Sequence, residues 1–218
     1  MGDTYTLTLN NQSTDPDWTF AVYTATNITD SSHQLPVAWL TKKLNSGNTV
    51  VFEWTLSYKL TFADQGVQQD VKWTESGSVD ADDNAANNAA LLDYPNSDYS
   101  FTSNPGVHPV KPGYLYIDTT GDVPSYNPDN GPSVGLAISG GEQSKPAKFN
   151  PAIAGVSGPS LHHDFELHPT YYVVAGDKEE GTMVDLSTQT NQAKVEYEPG
   201  EFSQEWTLND RNVWVRDK

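Results

Sequence analysis

No cysteine occurs in the 218 residues, which removes disulfides, thiolate metal centres and cysteine nucleophiles from consideration. Basic residues are scarce: 12 Lys and Arg stand against 29 Asp and Glu, a formal net charge of −17 with histidines neutral. Nucleic acid and anionic membranes are poor partners for such a chain, because affinity for them comes from Lys and Arg neutralising phosphates. No apolar run approaches the roughly 18 residues of a membrane-spanning helix. The opening Met1-Gly2-Asp3-Thr4-Tyr5 has neither the basic nor the apolar segment of a secretion signal, so the expectation is a cytoplasmic protein or one exported by a signal-less route. Even total charge is low, 19% of residues against the usual quarter. Asn, Ser, Thr and Gln supply the polar surface instead, which suits an exposed β-protein. A surface this acidic serves solubility through self-repulsion, or else takes up cations or associates when protons or metal ions cancel the repulsion.

Aromatic residues, by contrast, are plentiful: six Trp, eleven Tyr and seven Phe, enough to fill a substantial core. The most regular pattern runs from Val50 to Phe62. Val50, Phe52, Trp54, Leu56, Tyr58, Leu60 and Phe62 alternate with Glu53, Thr55, Ser57, Lys59 and Thr61, and only Val51 breaks the polar set. A period of two places the seven large side chains on one face of a β-strand. At about 3.3 Å per residue the run is longer than strands usually are, so it is one bent strand or two joined by a bulge.

Turn residues recur every ten or so positions, as sandwiches and barrels require. Strands are predicted near Thr4–Leu9, Trp18–Tyr23, Val37–Leu44, Tyr114–Asp118, Val134–Ser139, Asp164–His168, Tyr171–Ala175, Met183–Leu186, Ala193–Tyr197, Gln204–Leu208 and Val213–Val215. Asn45-Ser46-Gly47-Asn48 reads as a hairpin turn. Residues 76–104, rich in Asp, Asn, Ala and Ser, read as a long acidic loop, with a short helix at Ala85–Leu92 as the alternative. The expected fold is all-β: one domain over residues 1–218, an antiparallel β-sandwich of jelly-roll type.

Motifs for chemistry are mostly incomplete. Gly140-Gly141-Glu142-Gln143-Ser144-Lys145 lacks the spacing of a phosphate-cradling loop. Gly155-Val156-Ser157-Gly158 is followed by Pro159 where a nucleophile elbow needs glycine. Asp80, Asp82 and Asn84 open like a calcium loop, yet Ala85 and Leu91 stand where glycine and glutamate are required. Asp118, Asp122 and Asp129 lie in a Gly/Pro-rich region and read either as a weak cation site or as turn-forming side chains. No cofactor is expected beyond such a weakly held divalent cation. The densest constellation is Leu161-His162-His163-Asp164-Phe165-Glu166-Leu167-His168. On a strand, His162, Asp164, Glu166 and His168 share one face, either an ordinary solvated face or a pH- or metal-responsive one. His162 and His168, about 20 Å apart at strand rise, cannot share one ion.

Leu35-Pro36-Val37-Ala38-Trp39-Leu40-Thr41-Lys42-Lys43, with Gly47 and Phe52-Glu53-Trp54-Thr55, resembles the RhiA-type family of rhizosphere-expressed bacterial proteins. The similarity continues through Gly113-Tyr114-Leu115-Tyr116-Ile117, Ser133-Val134-Gly135-Leu136 and His168-Pro169-Thr170-Tyr171-Tyr172. That family is known for expression under population-density control and has no established activity, so the resemblance implies no catalytic residue.

Three function classes follow. The first is a non-enzymatic structural protein that pairs with itself into ordered oligomers or fibres. The second is a glycan-binding module in which Trp18, Trp39, Trp73 or Tyr126 stacks on sugars, although each reads first as a core residue. An enzyme ranks last, since Asp164 and Glu166 on one strand face make a poor pair for glycoside hydrolysis.

Overall fold

A computed structural model describes residues 3–14, 17–24, 34–65, 73–76, 87–103, 113–128, 131–167, 170–176, 180–181 and 191–217. Among them are sixteen strands: β1 (Thr4–Asn11), β2 (Asp17–Thr24), β3 (Gln34–Pro36), β4 (Leu40–Asn45), β5 (Thr49–Ala63), β6 (Thr74–Glu75), β7 (Ala89–Asp93), β8 (Ser100–Ser103), β9 (Tyr114–Thr119), β10 (Ser133–Glu142), β11 (Lys148–Val156), β12 (His162–Glu166), β13 (Thr170–Gly176), β14 (Gln192–Glu196), β15 (Ser203–Leu208) and β16 (Trp214–Arg216). A single 3₁₀ turn, Pro95–Ser97, is the one helical element among the described residues. The all-β expectation is met.

The strands form three sheets. The largest runs β16-β15-β1-β5-β10-β11-β3, with β6 beside β5; the second is β14-β13-β2-β4 and the third β12-β9-β7-β8. Pairing is antiparallel except for β1 with β15 and β7 with β9. One core gathers Leu7, Leu9, Phe52 and Trp54 of the large sheet against Phe20, Val22, Leu40, Tyr171 and Val173 of the second. Another gathers Leu60, Phe62, Val134, Leu136 and Ile153 against Leu92, Leu115, Ile117 and Phe165 of the third. Strand β5 feeds both cores, which explains why its alternation runs so long.

Burial departs from that alternation on both faces. Val50, Phe52, Trp54, Leu60 and Phe62 are buried, yet Leu56 is 39% exposed. Trp54 pairs with Gly140 and Tyr58 with Ile138, so β5 advances four residues while β10 advances two. The surplus bulges outward and carries Leu56 with it. Thr61, on the polar set, is fully buried instead.

Three further expectations need correction. Residues 45–48 make a turn, with Gly47 at φ 82°, but it links the second sheet to the first and closes no hairpin. The corner is pinned by buried Asn11, whose Nδ2 donates to the Leu44 carbonyl at 2.7 Å and whose Oδ1 accepts from Ser13 N and Oγ. Residues 76–104 are not one long loop: β7 and β8 lie within it, and Ala89 onward is strand rather than helix. Its apolar Ala90 and Leu92 point into the second core, which overrides the polar composition around them. Strand β11 is absent from the predicted strands, and it contains Pro151. Proline is accommodated there because the register slips beside it, between Leu136↔Ile153 and Ala137↔Pro151. The predicted strand at Met183–Leu186 lies outside the described residues.

Candidate functional site at the β9–β12 face

Strands β9 and β12 pair antiparallel, His162 opposite Asp118, Asp164 opposite Tyr116 and Glu166 opposite Tyr114. Directly opposed residues project to the same side, so these six form one outer surface. His163, Leu115, Ile117 and Phe165 turn the other way and are buried, which is the alternation predicted for the histidine-rich segment. Asp164 and His162 are exposed, while Tyr114, Asp118 and Glu166 are half-buried.

Aromatic rings line this surface. Tyr114 and Tyr116 lie 6.4 Å apart between ring centres with planes 15° apart, and Tyr116 and His162 lie 5.6 Å apart at 22°. Tyr116 is nearly covered by its neighbours, leaving Tyr114 and His162 as the accessible rings. His162 Nδ1 is 2.7 Å from Asp118 Oδ1, which fixes the imidazole plane. Tyr114 donates its hydroxyl to Glu166; partial desolvation first, then the charge and hydrogen bond of Glu166 and the charge of Asp164, push its phenol above the ordinary range.

The predicted site residues are therefore partly brought together. His162, Asp164 and Glu166 share a face with Asp118, which the sequence placed in a separate cation loop. Asp122 instead accepts from the Thr120 hydroxyl, two residues before it. His168, Asp80, Asp82, Asn84 and Asp129 lie outside the described residues. Among the described residues no group of three or more His, Asp or Glu is arranged to hold a metal ion.

The predicted sugar-stacking residues scatter. Trp39 is wholly buried, packed edge-on against Trp54 at 5.7 Å, and offers no ring face to a sugar. Trp18 is half-buried against the same core. Trp73 is half-buried on the outer side of the large sheet, over Gly135, and Tyr126 is half-buried elsewhere. The sequence reading missed Tyr114 and Tyr116, although the alternation Tyr114-Leu115-Tyr116-Ile117 marks both as facing away from the core.

One buried pair resembles catalytic machinery. Ser157 Oγ lies 2.9 Å from His163 Nε2, and both residues are 2% exposed. His163 Nδ1 has no hydrogen-bond partner, so no acid orients the ring. Burial first, then the neighbouring His162, lower its pKa to about 4. A neutral imidazole sealed from solvent is a packing element, not a base within reach of substrate.

Fold and face together define an acidic, all-β protein of mixed sheets. The family model RhiA matches residues 2–217, and the chain belongs to that family. No curated protein and no solved structure matches it.

Proposed function

We propose that this chain is a non-catalytic binding protein whose β9–β12 face takes neutral glycans. The observation that carries the reading is the pair of accessible rings, Tyr114 and His162, which flank the covered Tyr116 and are edged by Asp118, Asp164 and Glu166. Aromatic rings offer apolar surface to the C–H faces of a sugar, and ionised carboxylates accept hydrogen bonds from its hydroxyls. Three carboxylates on one small surface disfavour acidic sugars by like-charge repulsion, which selects neutral ones. Catalysis is disfavoured because Asp164 and Glu166 sit on one strand rather than across a cleft and because the Ser157–His163 pair is sealed. The reading treats residues 1–218 as one unit, since β5 contributes to both cores. Affinity electrophoresis through gels containing neutral polysaccharide tests it: the chain should be retarded, and Tyr114→Ala should restore free mobility. Equal retardation of the two proteins refutes this face as the site.

A second reading, self-association into ordered oligomers, is favoured by β16. This three-residue strand closes one edge of the large sheet, and Val213 and Val215 beside and within it are 54% and 45% exposed. Edge strands with exposed apolar residues are pairing sites. Acidification or divalent cations would assist by reducing the repulsion of a chain with pI near 4.3.

A further inference from the structure

On the side of the molecule where β4 of the second sheet meets β10 and β11 of the first, a cleft of about 310 Å³ opens. Part of its lining is apolar: Leu40 and Phe52 are each 2% exposed, and Gly140 joins them. Glycine there is dictated by packing, since a methyl group would sit 2.8 Å from the Trp39 ring and 2.9 Å from Trp54 Cβ. The lining also carries charge: Lys145 and Lys148 stand in it with Glu142 and Glu180, and Lys42 of β4 joins through Glu142. Glu142 Oε2 accepts from Lys42 Nζ at 3.0 Å and from Lys145 Nζ at 2.9 Å, so one carboxylate is shared by two ammonium groups. Lys148 has no ion-pair partner among the described residues. Glu180, the other carboxylate of the lining, is pushed above the ordinary range by burial, with Lys148 and Lys145 opposing.

Two of the chain's 12 basic residues, Lys145 and Lys148, thus line one cleft of a molecule that carries −17 overall, with Lys42 tied to its Glu142. Solubility does not require such clustering. An apolar pocket with a few convergent polar groups is the usual form of a small-molecule site, and its volume falls at the lower end of that range. We propose that the cleft binds a small organic anion, its acid head between Lys145 and Lys148 and its apolar body against Leu40 and Phe52. Lysine supplies a mobile point charge rather than a bidentate fork, so the head is recognised by charge and reach, and carboxylate, phosphate and sulfate heads share that chemistry. The site lies apart from the β9–β12 face, and neither assignment depends on the other.

The test is a two-dimensional amide NMR titration of the whole chain with three probes: octanoate, 1-octanol and inorganic phosphate. Octanoate should shift amides at residues 40–42, 52 and 140–150, with 1-octanol and phosphate each binding at least about fivefold more weakly. Lys148→Gln should weaken octanoate about three- to tenfold, and Lys145→Gln with Lys148→Gln further still, the scale of charge-assisted contacts. Both lysines are on the surface, so an unchanged spectrum of the unliganded variant certifies the fold. Binding of 1-octanol as tight as octanoate, phosphate matching octanoate, octanoate shifts confined to other residues, or an affinity indifferent to both lysines would each overturn the proposal. So would the absence of any octanoate shift at millimolar concentration.

Discussion

Replacing Gly135 by alanine is the sharpest test of the sheet packing. Gly135 lies in β10 between Thr61 of β5 and Ala154 of β11. A methyl group there would overlap the Ile153 carbonyl oxygen outright, and it would stand 3.1 Å from Thr61 Oγ1 and 3.4 Å from the Trp73 ring. The carbonyl belongs to backbone held by the β10–β11 ladder beside its bulge, so relief requires the strands to move rather than a side chain to rotate. Overpacking of this kind costs about 1–3 kcal/mol, and a backbone clash belongs at the upper end, about 2–3 kcal/mol. For a chain of this size each kcal/mol lowers Tm by about 2–4 °C, so Gly135→Ala should melt about 4–12 °C lower. Gly141, six residues on in the same strand, is the internal comparison. Its added methyl would meet only Pro146 O at 3.6 Å and Ala147 Cα at 3.7 Å, ordinary contacts. Gly141→Ala should be neutral or stabilising by up to about 1 kcal/mol, because alanine restricts the unfolded chain. Differential scanning calorimetry on the two variants decides the matter. Equal melting temperatures, or a Gly135→Ala protein as stable as the parent, would refute the packing argument.

Other outcomes follow from the same structure. His163 binds a proton near pH 6.5 when unfolded but only near pH 4 when folded, so below pH 6.5 the unfolded state holds more protons and stability falls as pH falls. That loss should approach about 3 kcal/mol by pH 4, and urea titrations of His163→Gln across the window should show a shallower decline than the parent. Asn11→Ala should destabilise by about 1–3 kcal/mol, because it strips hydrogen bonds from the buried Leu44 carbonyl and from Ser13; chemical denaturation measures it, and a change under about 0.5 kcal/mol contradicts the role given to this corner. If β16 pairs copies of the chain, Val215→Lys should shift light scattering between pH 5 and 8 toward the monomer. An oligomer unmoved by Val215→Lys, or a parent monomeric throughout, removes that reading.

How far the sequence could be read varies from element to element. The β5 face was legible because a period of two survives over thirteen residues, and burial follows it except at Leu56 and half-buried Tyr58 on the apolar set and buried Thr61 on the polar set; the excess over β10 around Leu56 depends on a partner strand eighty-odd positions away. The stretch holding β7 and β8 was misread because composition outweighed pattern: Ala89-Ala90-Leu91-Leu92 carries too little alternation to betray a strand. Its parallel pairing with β9 is long-range information. Strand β11 carries Pro151, and only the register slip beside it shows how a proline fits in that ladder. At the candidate site the local face of His162, Asp164 and Glu166 was readable from spacing. What the sequence could not show was pairing: Asp118 joins His162 across 44 positions, and Tyr114 and Tyr116 come alongside only once β9 and β12 are neighbours. Trp39 reads both ways for a different reason, because tryptophan serves cores and sugar platforms alike, and its burial settles it as core.

The measurement that bears most directly on the binding reading is an amide NMR titration with neutral and acidic oligosaccharides of matched length, cellohexaose and hexagalacturonate. Binding at the proposed face predicts shifts at residues 114–118 and 162–166 with cellohexaose, saturating at a common affinity, weakened about tenfold by Tyr114→Ala, and absent with the acidic sugar. Shifts mapped elsewhere, preference for the acidic sugar, or no response to either would contradict it.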